Sequence, residues 1–224
     1  MKLGTAFGID ILLHWSFFIL PVVVISWSVA LGDSISVTAL WLVLLVVILA
    51  SVLLHELGHG LAAKWLGIPI VDIMLTPICG LARLARAPDH PREEVCVAIA
   101  GPVANLICGA LLALLLYLTQ TPFSIEPLIV RSSLMLTLLW VNVALCVLNL
   151  LPVFPMDGGR IFRAVLAMFI EEKLATRIAV RTGQFFSLAA VLIGLNRGIY
   201  PLVIIGAFLI LTAENEIRTA PLES

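Results

Sequence analysis

The feature that most limits the possible folds of this chain is an apolar run that ends in ionisable residues. Residues 40–54 read LWLVLLVVILASVLL, and residues 55–59 directly after them read HELGH. An ionisable side chain at membrane depth costs about 3 kcal/mol, so such residues are rare there and usually functional. If the run is a membrane-spanning helix, the end of that helix carries a chemically active cluster.

The spacing within HELGH predicts a metal site. On a helix, His55 and His59 are four residues apart and lie on one face, one turn from each other. Both imidazoles can then reach one ion while Glu56 stands beside it, which is the H-E-x-x-H arrangement of zinc hydrolases. The alternative is a pair of structural histidines that hydrogen-bond between helices. Because apolar surroundings offer such histidines few partners, we favour the metal site.

Composition predicts that the whole chain is an integral membrane protein. Of its 224 residues, 62% are hydrophobic and 12% are charged, far from the values of soluble domains. The net charge of -1 gives no sign of a nucleic-acid partner. The four cysteines indicate buried thiols and no disulfide framework, because they lie in or beside apolar segments without regular spacing.

The apolar segments predict an all-α polytopic membrane protein with about six transmembrane helices. About 20 apolar residues cross a bilayer, and we expect residues 1–224 to form a single transmembrane domain. The predicted spans are 13–31, 37–66, 94–118, 132–151, 175–195 and 200–213.

Two stretches suit short strands better than helices. Residues 70–84 (IVDIMLTPICGLARL) are too short and too broken by Pro77 and Gly80 for another span. They suit a short membrane-associated β-hairpin, with an amphipathic surface loop as the alternative. Residues 1–14, which contain Gly4 and Gly8, suit a strand pair or an interfacial segment.

A second candidate region follows the fourth predicted helix, where residues 151–160 read LPVFPMDGGR. The prolines stop the helix, and Asp157 lies in the break. From the sequence alone, Asp157 could be a metal ligand, could cap a helix predicted to begin at Ile161, or could pair with Arg160 or Arg163.

The distribution of Lys and Arg orients the predicted helices. By the positive-inside rule, the face with more of these residues is cytoplasmic, which puts both termini there. HELGH and Asp157 then share the cytoplasmic ends of the second and fourth spans. One face carries only Arg131 and Arg197, and the cytoplasmic face carries Lys2, Lys64, Arg83, Arg86, Arg92, Arg160, Arg163, Lys173, Arg177, Arg181 and Arg218.

Three ordered motifs resemble those of the site-2 protease family, the intramembrane zinc metalloproteases of peptidase family M50. The family patterns are HExxH, GPxxN and NxxPxxxxDG, matched here by His55, Glu56 and His59, by Gly101, Pro102 and Asn105, and by Asn149, Pro152, Asp157 and Gly158. The segment TPICGLARL also resembles the family's membrane-entering hairpin. Cys79 stands where a second glycine is common and Met156 where leucine is usual, and neither position carries chemistry.

The resemblance implies a zinc-dependent endopeptidase that holds one zinc ion per chain. Such an enzyme hydrolyses a peptide bond within or near a transmembrane helix of a membrane-protein substrate, in regulated intramembrane proteolysis. The implied roles are metal ligand for His55, His59 and Asp157, general base for Glu56, substrate or oxyanion contact for Asn149, and structural or substrate-proximal for Gly101, Pro102, Asn105 and Gly80.

The resemblance is to a compact six-helix member of the family without a PDZ or CBS domain. We expect a multi-pass protein of the cell membrane, in contact with the lipid bilayer, whose active site opens to the cytoplasm. The alternative function is a metal-ion transporter or metal-binding membrane protein, which has no need of the carboxylate of Glu56 beside the metal. Membrane zincins that cut CAAX proteins are a second alternative, but their third ligand resembles a Glu on a helix. The sequence makes no prediction of oligomeric state.

Overall fold

The computed structural model describes residues 1–77, 80–120 and 134–219, with residues 214–219 described as backbone only. The described chain is mainly helical, with four short strands. The elements are β1 (Lys2–Ala6), β2 (Ile9–Leu13), a 3-10 turn (Trp15–Phe18), α1 (Ile19–Ala30), α2 (Ile35–Trp65), β3 (Ile70–Leu75), β4 (Gly80–Leu84), α3 (Pro91–Leu118), α4 (Leu134–Asn149), α5 (Asp157–Ala167), α6 (Glu172–Arg197) and α7 (Tyr200–Thr219).

The chain divides into two compact units. The first contains Met1–Ala87 and Ala100–Cys146, and the second contains Pro88–Ile99 and Val147–Ser224. Helices α3 and α4 therefore contribute residues to both units. Each unit is described by itself.

In the first unit the strands form one sheet in the order β1-β2-β3-β4. Strands β1 and β2 form an antiparallel hairpin, and so do β3 and β4, in which Ile73 is opposite Ala82. Both hairpins confirm the sequence-based expectation of short strands. The parallel pairing of β2 with β3, with Ile11 opposite Ile73, was not expected, so the sheet is larger than the single predicted hairpin.

The sheet packs on α2 through one face. Strand β2 alternates buried and half-buried residues, the pattern of a strand with one face against a core. Ile9, Ile11 and Leu13 pack with Ile73 and Leu75 of β3. The apolar residues of α2 that lie against this cluster are Leu49, Val52, Leu53 and Leu57. The helix segment that contains HELGH is therefore fixed to the sheet.

Three of the described helices, α2, α3 and α6, are long and apolar enough to cross a bilayer. With 31 residues, α2 is about 46 Å long, more than the ~30 Å of hydrocarbon, so it tilts or protrudes. Residues Trp15–Ala30, Leu134–Asn149 and Tyr200–Ala213 form shorter apolar helices. The chain is an integral membrane protein, and the count of six spans stays a prediction.

Several predicted boundaries were wrong. The first helix does not begin at residue 13, because Leu13 ends β2 and the α-helix starts at Ile19. The fourth helix ends at Asn149 and not at residue 151. The sixth helix of the structure, α6, begins at Glu172, before the predicted residue 175.

Helices α2 and α3 approach closely at Gly58. A Cβ atom at this position would lie 2.5 Å from the carbonyl oxygen of Ala100 and 3.0 Å from Cβ of Ala104. No larger residue fits at this approach unless one of the backbones moves. The small residues of the two helices thus permit the contact.

In the second unit, α5 begins at Asp157, four residues before the predicted start at Ile161. Gly158 lies so close to the end of α4 that a Cβ atom would collide with the carbonyl oxygens of Leu150 and Leu151. Close packing thus holds the first turn of α5 although glycine is a poor helix former. The core of the unit contains Phe154 with Ala179, Val180 and Ala213.

Candidate metal centre and catalytic site

His55 and His59 face each other on the buried side of α2. Their Nε2 atoms are 3.1 Å apart, and both side chains are buried. Two imidazole nitrogens bound to one tetrahedral zinc at ~2.0–2.1 Å are separated by about 3.3 Å, so this pair fits a single zinc ion. The helical spacing predicted from the sequence therefore gives the expected geometry.

The orientation of His55 is fixed by a hydrogen bond to a residue of α3. Its Nδ1 atom lies 2.6 Å from Oδ1 of Asn105. An amide oxygen only accepts hydrogen bonds, so Nδ1 carries a proton, and in the neutral imidazole Nε2 then keeps its lone pair. That is the tautomer in which Nε2 can bind a metal.

Gly101 of α3 lies directly against the two imidazoles. A Cβ atom there would be 2.7 Å from Nε2 of His55 and would collide with the ring of His59. Pro102, next along the helix, is fully buried. The absence of a side chain at Gly101, which was predicted to be structural or substrate-proximal, therefore leaves the space that the two imidazoles occupy.

Glu56 is also buried, and its carboxylate lies against the edge strand β4. The backbone N–H of Ala82 donates to Oε2 of Glu56 over 2.9 Å. A Cβ atom on Gly80 would be 2.7 Å from Oε1 of Glu56, so glycine leaves room for the carboxylate. The acidic group of HELGH and the predicted hairpin thus meet in the structure.

The hairpin that holds Glu56 has its own ion pair. The guanidinium of Arg83 on β4 donates two hydrogen bonds to the carboxylate of Asp72 on β3, one of them from Nε over 2.7 Å. These hydrogen bonds raise the pKa of Arg83 above its ordinary value. The charged pair joins the two strands beside the position of Ala82.

Asp157 is the first residue of α5, in the second compact unit, and is buried. The N-cap of α5 is Met156, so the interpretation of Asp157 as the helix cap was wrong. A carboxylate in the first turn of a helix is stabilised by the helix dipole, which favours its anionic form. Asp157 therefore has the chemistry of a metal ligand.

The other candidates near Asp157 have distinct places in the second unit. Asn149 is the last residue of α4 and is half-buried. The guanidinium of Arg163 donates to Glu94 near the start of α3. Arg163 thus has a carboxylate partner other than Asp157.

Two buried polar residues of the first unit were missed as site residues. Asn142 of α4 and Ser51 of α2 form hydrogen bonds with each other and with Asn105. The one available signal for Asn142 is that it is an amide within the apolar predicted span 132–151. Nothing in the sequence connected either residue with His55.

Comparison with known proteins places these motifs in a family. Residues 43–130 and 123–192 match the family model described as Peptidase family M50. A zinc metalloprotease of Methanocaldococcus jannaschii is 35% identical over 224 residues, covering 100% of this chain and 62% of the relative. A putative zinc metalloprotease of Synechocystis is 32% identical, covering 98% of this chain and 60% of the relative.

Two further similarities agree with this result. A putative zinc metalloprotease of Mycobacterium tuberculosis is 29% identical over 87% of this chain and 51% of its own length. The chain thus spans between about half and three-fifths of the curated relatives that it matches. The solved site-2 protease from Methanocaldococcus jannaschii is 35% identical, with a TM-score of 0.70 over 100% of this chain and 98% of that one.

Proposed function

The chain belongs to peptidase family M50, and from that premise we propose that it is a zinc-dependent intramembrane protease. Its reaction is the hydrolysis of a peptide bond within or near a transmembrane helix of another membrane protein. The observation that carries the proposal is the buried His55–His59 pair, with facing Nε2 atoms 3.1 Å apart and Glu56 on the same helix.

The ligands that we propose for one zinc ion per chain are His55, His59 and Asp157. Two neutral imidazoles and one carboxylate are a usual ligand set for catalytic zinc, with the fourth position open for water. When bound, zinc supplies Lewis acidity toward that water and the scissile carbonyl. The proposal for Asp157 is supported by its burial, its place in a helix N-terminal turn and the family motif around it.

Glu56 is proposed as the general base. Its carboxylate accepts a proton from the attacking water and returns a proton to the leaving amide nitrogen. The burial of Glu56 and its place next to His55 on α2 support this role. Asn149 is proposed to hold the substrate backbone or the developing oxyanion, on the basis of its motif position.

A transmembrane helix has to unwind before it can be cut, because its backbone carbonyls are hydrogen-bonded and shielded. We propose that the unwound segment adds as a strand to the outer edge of β4, the last strand of the sheet. Substrates should therefore carry Gly, Pro or Asn near the cut, residues that weaken a helix. The lipid bilayer is the second partner.

The proposed location is the cell membrane, in a single six-helix domain over residues 1–224 with the termini and the opening of the site on the cytoplasmic side. The uneven distribution of Lys and Arg supports this orientation. Single cysteines at positions 33 and 220, in a variant without the native thiols, provide the test. External labelling at 220 would contradict the orientation.

The function is tested by two substitutions in the full chain, reconstituted with a single-span protein whose helix carries Gly, Pro or Asn. Glu56→Gln should keep zinc but lose cleavage by about 10²- to 10⁴-fold, because the proton acceptor is gone. Asp157→Asn should lose zinc and activity together, because a neutral amide is a poor zinc ligand. Zinc content and cleavage are measured on the same samples.

Each result has an opposite that contradicts the proposal. Normal cleavage by Glu56→Gln would exclude Glu56 as the general base. In a transporter, this substitution would leave metal binding and transport unchanged. Full zinc content and activity in Asp157→Asn would exclude Asp157 as the third ligand. Members of the CAAX-cutting class would instead lose zinc on replacement of a helical Glu.

A further inference from the structure

We propose that Asn142 of α4 is a positioning residue for the metal centre, because it sets the orientation of the Asn105 amide and thereby the ring tautomer of His55. The inference rests on the proposed zinc function. The hydrogen bonds of Asn142 go to Asn105, Ser51 and Leu138 and not to the imidazoles. Asn142 acts through a chain of buried hydrogen bonds that ends at backbone carbonyls.

The chain of hydrogen bonds lies wholly within the first compact unit. Asn105 and Asn142 are both 0% exposed, and Nδ2 of Asn105 donates to Oδ1 of Asn142 over 2.8 Å. Nδ2 of Asn142 in turn donates to the carbonyl oxygen of Leu138 over 2.9 Å and to Oγ of Ser51 over 3.1 Å. The hydroxyl of Ser51 donates to the carbonyl oxygen of Val47 over 3.0 Å.

The donor-to-acceptor direction of these hydrogen bonds is fixed by the groups at their ends. A backbone carbonyl only accepts, so the group of Asn142 that faces Leu138 has to be its NH₂. Oδ1 of Asn142 then faces Asn105 and requires the NH₂ of that residue. The carbonyl oxygen of Ser51, 3.3 Å from Nδ2 of Asn105, demands the same orientation.

The fixed orientation of the Asn105 amide determines which ring nitrogen of His55 carries the proton. With its NH₂ turned toward Asn142 and Ser51, Asn105 presents only its oxygen to His55, 2.6 Å from Nδ1. Nδ1 has to donate, and the lone pair of Nε2 points to the side of His59. If the Asn105 amide turned over, its NH₂ would face Nδ1, and the ring proton would move to Nε2, where it blocks metal binding.

Burial makes the arrangement effective. In an apolar interior no water can satisfy a reversed amide, so the wrong orientation leaves at least one polar group unpaired, at about 1–3 kcal/mol. Asn142 supplies the shorter of the two acceptors for the NH₂ of Asn105. Outer partners of metal-bound histidines typically change metal affinity by about 10- to 100-fold.

The test measures zinc affinity, by competition with a chromogenic chelator, in full-length protein in detergent. Asn142→Leu is nearly isosteric and keeps the interior apolar, so it removes the hydrogen bonds with little loss of packing. We expect zinc to bind about 10-fold more weakly. Asn105→Leu should weaken binding more, and the double variant should bind no more weakly than Asn105→Leu, because Asn142 acts through Asn105.

The matched control is Leu139→Ala, on the same helix. Leu139 is buried in a separate apolar cluster with Leu116 and Leu136. Its truncation should lower thermal stability and leave zinc affinity unchanged. Zinc affinity of Asn142→Leu equal to that of the wild type and this control would overturn the proposal, as would additive losses in the double variant.

A spectroscopic measurement on the unaltered, zinc-free chain tests the proposal even if the Asn142 and Asn105 variants do not fold. With ¹⁵N-labelled histidine, His55, identified by comparison with His55→Ala, should show its proton on Nδ1. A proton on Nε2 would overturn the proposal. If the wild type binds no zinc, the proposed function fails as well, whereas zinc binding and cleavage that are indifferent to Asn142 overturn this inference alone.

Discussion

Two neighbouring residues of α2, His55 and Glu56, are held by different means. His55 is fixed by a side-chain amide of another helix, which is itself tied to further buried groups. Glu56 is held by one backbone N–H from the edge strand of a sheet. The difference teaches that the proposed metal ligand is locked in one orientation, whereas the carboxylate of Glu56 has, among the residues that the structure describes, one hydrogen-bond donor on the edge strand of the sheet.

The largest expected effect is on zinc affinity, through the positions of the two histidines. Gly101→Ala puts a methyl group into the space of both imidazoles, and the rings cannot stay in place. We expect zinc affinity to fall by more than the ~100-fold that loss of a supporting hydrogen bond costs, with cleavage lost as a consequence. Zinc content by atomic absorption is the measurement.

Gly109→Ala, farther along α3, is the control for this change. A Cβ atom at Gly109 would meet Leu139 Cδ1 at 3.7 Å, an ordinary van der Waals contact. Zinc affinity should therefore be unchanged. Full zinc in Gly101→Ala would show that the imidazoles have more room than the structure gives them.

An intermediate effect is expected on the glutamate side. Gly80→Ala forces the carboxylate of Glu56 away from β4, because the new methyl group occupies its place. A misplacement of ~1 Å in a catalytic group can cost about 10²-fold, so we expect kcat to fall by about 10- to 100-fold. Zinc content should stay at the wild-type level, since neither histidine is touched.

The matched strand control is Gly4→Ala in β1, where nothing lies within 4 Å of the added atom. Its turnover and zinc content should equal those of the wild type. A loss of zinc in Gly80→Ala would mean that the base and the ligands are not held separately, which would remove the distinction between the two residues.

The smallest effect is expected at the far end of the histidine support. Ser51→Ala removes one acceptor of Asn142 but leaves the carbonyl of Leu138 in place. Loss of one such hydrogen bond costs about 1 kcal/mol of stability. We expect less than about a threefold change in zinc affinity, measured by chelator competition. A loss as large as that of Asn105→Leu would place the control of the tautomer in Ser51 instead.

The sequence was informative wherever spacing along one element decides the geometry. His55 and His59 share a helix, so a four-residue spacing was sufficient to predict that their nitrogens meet. The two hairpins were predicted for a related reason, since each lies within a short stretch that Gly or Pro interrupts.

Contacts between distant elements were not predictable in this way. The pairing of β2 with β3 joins strands that are separated by α1 and α2, and apolar alternation does not say which strand is the neighbour. The approach of Ala82 to Glu56 uses a backbone N–H, which every residue except proline has. Asn142 was visible as an unusual amide, but its partner depends on the packing of α2, α3 and α4.

The hydrogen bond from Ala82 to Glu56 also has a consequence for the order of events. One N–H makes one strong hydrogen bond, so a chain that pairs with β4 at Ala82 and the carboxylate of Glu56 compete for the same proton. If the substrate adds to β4 as proposed, its arrival would take this N–H and free the carboxylate of Glu56. Glu56 would then be available to accept a proton only when a peptide is in position. Without a peptide, its carboxylate stays hydrogen-bonded to the N–H of Ala82.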